Sequence, residues 1–135
     1  MKKLIGLVLI ITLSFYSCSS DDDSVSSSET RINPPTWIQG TWLLENPNSG
    51  YEFTNDDFCL IILTTQTCFK ESISQTNSNG GTTNVTEITT DNSYSIEITL
   101  ETQTVYYEFE KISETEIEWI NDPLGDLATT IYVKQ

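Results

Sequence analysis

Two stretches in the second half of the chain alternate apolar and polar residues with a period of two. Residues 94–100 (Tyr94-Ser95-Ile96-Glu97-Ile98-Thr99-Leu100) place Tyr94, Ile96, Ile98 and Leu100 on one face, and residues 105–110 (Val105-Tyr106-Tyr107-Glu108-Phe109-Glu110) place Val105, Tyr107 and Phe109 on one face. Successive side chains of a strand point to opposite sides, so this pattern gives each strand a core face and an acidic or polar face. A helix cannot reproduce it.

The same pattern recurs in shorter form, with Ile117 and Trp119 continuing it after Ser113-Glu114-Thr115. Turn residues separate the runs: Asn46-Pro47-Asn48-Ser49-Gly50, Asn55-Asp56-Asp57, Asn79-Gly80-Gly81, and Asn121-Asp122-Pro123-Leu124-Gly125-Asp126. Between them lie candidate strands at residues 42–45, 51–54, 58–64, 69–75, 85–89 and 129–134, with 76–84 read as a loop. No segment carries a sustained helical stripe, and threonine is abundant where strands are expected. The expected fold is all-β: a small antiparallel up-and-down barrel, or a half-open sandwich, of eight or nine short strands.

The N-terminus has a different character. Two lysines, Lys2 and Lys3, precede a run of about a dozen mostly apolar residues, 4–15, which is the anatomy of a signal peptide. As a helix the run rises only ~18 Å, short of a hydrocarbon core ~30 Å thick. Phe15-Tyr16-Ser17-Cys18 resembles the lipobox of bacterial lipoproteins. That resemblance implies that residues 1–17 are removed and that Cys18 is lipidated as the mature N-terminus; cleavage by an ordinary signal peptidase nearer Ser20 is the alternative.

Ser19-Ser20-Asp21-Asp22-Asp23 resembles the acidic export signal that carries Bacteroidetes lipoproteins to the outer face of the outer membrane. The bland reading is a solvated charge run in a linker. Asp23-Ser24-Val25 resembles the three-residue O-glycosylation sequon of that phylum. Residues 19–30 hold one apolar residue, Val25, so a disordered tether over 18–33 is expected before a single β domain over 34–135. Pro34-Pro35 marks the boundary.

Without residues 1–17 the chain carries four basic side chains (Arg31, Lys70, Lys111, Lys134) against twenty acidic ones, a net charge of −16. Nucleic acid is excluded as a partner, since phosphate binding needs clustered lysine and arginine. An anionic lipid surface repels the same charge, so the domain is expected to stand off its membrane on the tether.

Gly40-Thr41-Trp42 resembles the Gly-x-Trp signature of the lipocalin superfamily and of small lipocalin-like domains in Bacteroidetes lipoproteins. The resemblance implies that Trp42 closes one end of the barrel, crossed by a basic side chain of the last strand. Lys134 is the matching position by order along the chain.

Cys59 and Cys68 lie nine apart on neighbouring expected strands of an exported chain, so a disulfide is expected; two reduced buried cysteines are the alternative. Facing each other, they would share a face with Lys70 and Ser72, put Phe58, Leu60, Ile62, Phe69 and Ile73 in the core and leave Ile61 and Leu63 exposed.

The chemistry the chain lacks is informative. It has no histidine, which removes Ser-His and Cys-His nucleophile activation and histidine-ligated metals. No spacing marks a buried carboxylate pair for glycoside hydrolysis. Asp56-Asp57 and residues 122–126 offer loop oxygens but match no calcium-loop pattern. No catalytic residue, metal or cofactor is expected. The aromatics Trp42, Tyr107, Phe109 and Trp119 either line a pocket or fill the interior, and in so small a barrel filling is the expectation.

The function expected is that of a non-enzymatic, lipid-anchored envelope protein presenting a binding surface or a small apolar ligand site. The alternative is a protein interaction module: an envelope-complex accessory, an inhibitor or an immunity protein. Its partners would be the membrane, through the lipid, and a small apolar ligand or an envelope protein.

Overall fold

A computed structural model describes residues 31–45, 49–123 and 129–135. Residues 1–30, with Cys18 and the stretch Ser19, Ser20, Asp21, Asp22 and Asp23, lie outside the described residues. The elements, in order, are β1 (Gly40–Leu43), β2 (Ser49–Phe53), β3 (Phe58–Ile62), β4 (Thr65–Cys68), α1 (Phe69–Ser78), β5 (Thr83–Thr89), β6 (Ser93–Leu100), β7 (Gln103–Lys111), β8 (Glu116–Trp119) and β9 (Ile131–Lys134). Among the described residues the nine strands form one antiparallel sheet in the order β4-β3-β2-β1-β9-β8-β7-β6-β5. The sheet curls into a half-barrel with β4 and β5 at its free edges, and α1 connects those edges.

The period-two reading gives the core directly. Tyr94, Ile96, Ile98 and Phe109 are fully buried, with Leu100, Val105 and Tyr107 packed against them. Register pairs Tyr94 with Phe109, Ile96 with Tyr107 and Ile98 with Val105, so both apolar faces lie on the inside of the curl. Trp42, Phe53, Phe58 and Ile117 complete the interior from the other strands. Each fully buried large side chain of this kind contributes roughly 1.5–3 kcal/mol relative to exposure.

One end of the half-barrel is closed by residues 31–39. Ile32 and Ile38 are buried, and the Asn33 N–H donates to both carboxylate oxygens of Glu87 at 2.9 and 3.0 Å. The folded unit therefore takes in Ile32 and Asn33, which the sequence places in the tether. A turn closed by Ile38 N–H to Pro35 O, 3.1 Å, sets the Ile38 carbonyl to accept the Trp42 indole N–H at 2.6 Å. The Trp37 indole donates to Thr90 O at 3.1 Å, tying this segment to the β5–β6 turn.

Residues 69–75, expected to be a strand, are helical, and α1 extends to Ser78 into the expected loop. Phe69 and Ile73, four apart, form its buried face. Its N-cap residue, Cys68, makes no side-chain cap bond because its sulfur is bonded to Cys59. Asp57, from the β2–β3 turn, substitutes: its Oδ1 accepts the N–H of Lys70 at 2.9 Å and of Phe58 at 2.8 Å, satisfying a first-turn donor from outside the helix.

The helix also corrects the expected faces. Lys70 and Ser72 belong to α1 and do not share a strand face with the cysteines. Ile62, expected in the core, is 62% exposed, because it lies at the end of the β3–β4 hairpin, beyond the packed interior. Ile61 is half-buried instead of exposed, and Leu63 is exposed.

Candidate functional site

The interior is organised around Tyr51. Its ring centre lies 4.9 Å from that of Tyr132, 5.0 Å from Phe109, 5.6 Å from Phe58, 5.8 Å from Trp119 and 5.9 Å from Tyr107. Phe53 and Phe58 stack at 4.9 Å, and Phe58 stacks on Phe69 at 5.2 Å. These separations are those of edge-to-face and offset-stacked pairs. Among the described residues, rings fill the middle of the interior.

Above this floor the inward side chains lose cover. Leu60 of β3, Val105 and Tyr107 of β7 and Trp119 of β8 are half-buried and packed on the buried cluster. Tyr107 touches Phe58 across the curl at 5.0 Å and lies 5.8 Å from Trp119. β8 ends at Trp119 while β7 continues, and Asn121 bridges the step. Its Oδ1 accepts the Glu108 N–H at 2.7 Å and the Trp119 indole N–H at 2.8 Å, and its Nδ2 donates to Tyr106 O at 2.7 Å. One side chain thus finishes the edge of β7 and fixes the plane of Trp119.

The rim also has a polar element. Burial pushes the phenols of Tyr51 and Tyr132 above the ordinary tyrosine range, with Asp122 adding to the shift. Asp122 accepts the hydroxyl of Thr130. Sequence reasoning singled out Tyr107 and Trp119 but missed Tyr51 and Tyr132. Their short strands, four and five residues long, carry too few alternations to mark an inward face.

The remaining sequence-marked residues lie elsewhere. At the closed end Trp42 is opposite Lys134 in the β1–β9 ladder, and the Lys134 Nζ sits 4.9 Å from the centre of the Trp42 ring, a cation–π arrangement. Gly40, at φ 128°, leaves room for it: a Cβ there would stand 2.8 Å from Lys134 Cε. Cys59 and Cys68 are directly opposite in the β3–β4 ladder and are joined, with Cα atoms 4.0 Å apart. Asp57 lies beside them, and these three form the metal-competent grouping among the described residues; both sulfurs are spent in the disulfide.

An open cleft of about 410 Å³ lies between α1 and the β6–β7 turn, lined by Ser72, Gln75, Thr76 and Gln103 among others. Its walls are largely polar and neutral, unlike the aromatic rim.

The chain matches no family model, no curated protein and no solved structure.

Proposed function

We propose that the protein is a non-enzymatic module anchored by a lipid at Cys18 to the outer membrane, facing the cell exterior, and that its half-barrel binds a small apolar ligand against the rim formed by Leu60, Val105, Tyr107 and Trp119. The observation that carries this reading is the half-exposed aromatic rim above a ring-filled floor. Such a surface offers apolar area and π-faces. Ligands held there are shallow, aromatic or short-chain, and partly wet.

The likeness to lipocalin-like domains of Bacteroidetes lipoproteins is supported by Gly40-Thr41-Trp42 and by Lys134 over Trp42. The anchor reading is supported by residues 4–18, and the outward address by Ser19, Ser20 and Asp21 to Asp23.

Titration with the neutral apolar fluorophore N-phenyl-1-naphthylamine tests the ligand reading. Saturable binding is expected, weakened about tenfold by Tyr107→Ala. Binding that does not saturate, or that Tyr107→Ala leaves unchanged, contradicts it.

A second reading, a protein interaction module in an envelope complex or an inhibitor, is favoured by the filled interior and the acidic surface. Native mass spectrometry of the protein extracted from its host distinguishes the two by the mass that accompanies it.

A further inference from the structure

Among the described residues, nothing guards the free edge of the sheet at β4: β4 pairs with β3 alone, in unbroken register, and Thr65, Gln66 and Thr67 are exposed. Soluble proteins blunt such edges with lysine, proline or a bulge; β4 has none of these. In a chain with twenty acidic side chains, residues 58–69 carry no charge at all.

The hairpin geometry says which backbone groups are available. The two-residue turn Leu63-Thr64 closes on the pair Ile62 and Thr65, the hydrogen-bonded pair of such a hairpin. Hydrogen-bonded and non-hydrogen-bonded pairs alternate along an antiparallel ladder, so Ile61 and Gln66 form a non-bonded pair. The N–H and C=O of Gln66 therefore point away from β3, toward solvent.

The two ends of this edge differ in chemistry. At the turn, Ile62 and Leu63 are both more than 60% exposed, and Leu63 holds φ 58°, a left-handed conformation that glycine or asparagine adopts more readily. At the other end lie the carboxylates of Glu52, which accepts from the Gln66 side chain, of Asp56, and of Glu71 in the first turn of α1. Of the cations there, Lys70 is paired with Asp56 and Arg31 acts on the same carboxylate, which leaves Glu52 and Glu71 without a basic partner in the ion pairs among the described residues.

We infer that β4 is a docking edge for an extended segment of a partner protein, which adds as a further strand, sets an apolar side chain on Ile62 and Leu63 and brings a lysine or arginine to Glu52 and Glu71. Charge decides the occupant. A chain of net charge −14 draws a cationic segment and repels a second copy of itself. Backbone pairing supplies the affinity, and the two ends supply polarity and register. The edge and the aromatic rim share β3, where Leu60 of the rim is paired with Thr67 of β4, so the two readings are separated by their variants: Gln66→Pro bears on the edge and Tyr107→Ala on the rim.

The test uses the full chain and two labelled peptides of alternating valine and threonine, one carrying two lysines at one end and the other two glutamates, followed by fluorescence anisotropy. The lysine peptide should bind about tenfold more tightly than the glutamate peptide. Gln66→Pro should weaken it by about tenfold or more, while the far-ultraviolet circular dichroism stays unchanged, because proline at an outward edge position removes no ladder bond. In the unmutated protein, amide exchange at Gln66 should slow when the lysine peptide is added. Equal binding of the two peptides, unchanged exchange at Gln66, or a dimer that Gln66→Pro dissolves in the absence of peptide would each overturn the inference.

Discussion

Tyr51 shows how a single residue can decide what a half-barrel holds. Its ring occupies the position from which Phe58, Tyr107, Phe109, Trp119 and Tyr132 can all be reached. Tyr94, at the closed end, donates to Glu87 at 2.5 Å. Burial raises the phenols of Tyr51, Tyr94, Tyr107 and Tyr132 above the ordinary tyrosine range. In the unfolded chain each ionises near pH ~10. Above that pH the unfolded state binds fewer protons than the folded one, so stability falls as pH rises. Absorbance of phenolate at 295 nm should therefore show these four ionising together with loss of the near-ultraviolet circular dichroism; their ionisation in a still-folded protein would contradict the buried placement.

At the scale of elements, the strands were legible where alternation runs long. The four apolar residues that alternate through the seven-residue stretch 94–100 leave no other period available, and its partner 105–110 repeats the pattern. α1 was not legible. It has two buried residues, Phe69 and Ile73, and its N-terminal support comes from Asp57, thirteen residues before Lys70, a contact that exists only once the β3–β4 hairpin has formed. Ile62 was misplaced for a related reason: alternation tells which way a side chain points, not where the interior stops. The rim was legible in part, through Tyr107 and Trp119, while Asn121, which fixes Trp119, looked like one of several turn residues.

The Cys59–Cys68 bridge ties the last residue of the edge strand, at the start of α1, to β3. A closed loop this short gives roughly 2–3 kcal/mol in the chain-entropy account. Replacing both cysteines by serine should lower the unfolding free energy obtained from urea titration by about that amount, with the first loss of amide protection in β4 and α1. Uniform loss across the sheet would argue against these being the bridge's dependants.

For the whole molecule, shape and charge point the same way. Among the described residues, rings fill the middle of the curled sheet, and the acidic side chains outside are not balanced by the few cations: Lys70 pairs with Asp56, on which Arg31 also acts, Lys111 pairs with Glu114, and Lys134 lies over Trp42. On the proposed reading, binding is a property of rims and edges, and placement near a surface matters as much as affinity. If Cys18 carries the lipid, Cys18→Ser should move the protein from the membrane to the soluble fraction and abolish labelling by a fatty-acid analogue. Continued membrane fractionation without label would remove the anchor from the account.

The claim that this half-barrel binds at an exposed aromatic rim and not in an internal cup is tested most directly by amide and indole chemical-shift mapping during titration with N-phenyl-1-naphthylamine. Saturable shifts should concentrate at Leu60, Val105, Tyr107 and the Trp119 indole, leaving Ile96, Ile98 and Ile117 unmoved. Shifts centred on those three deep residues, or none that saturate, would contradict it.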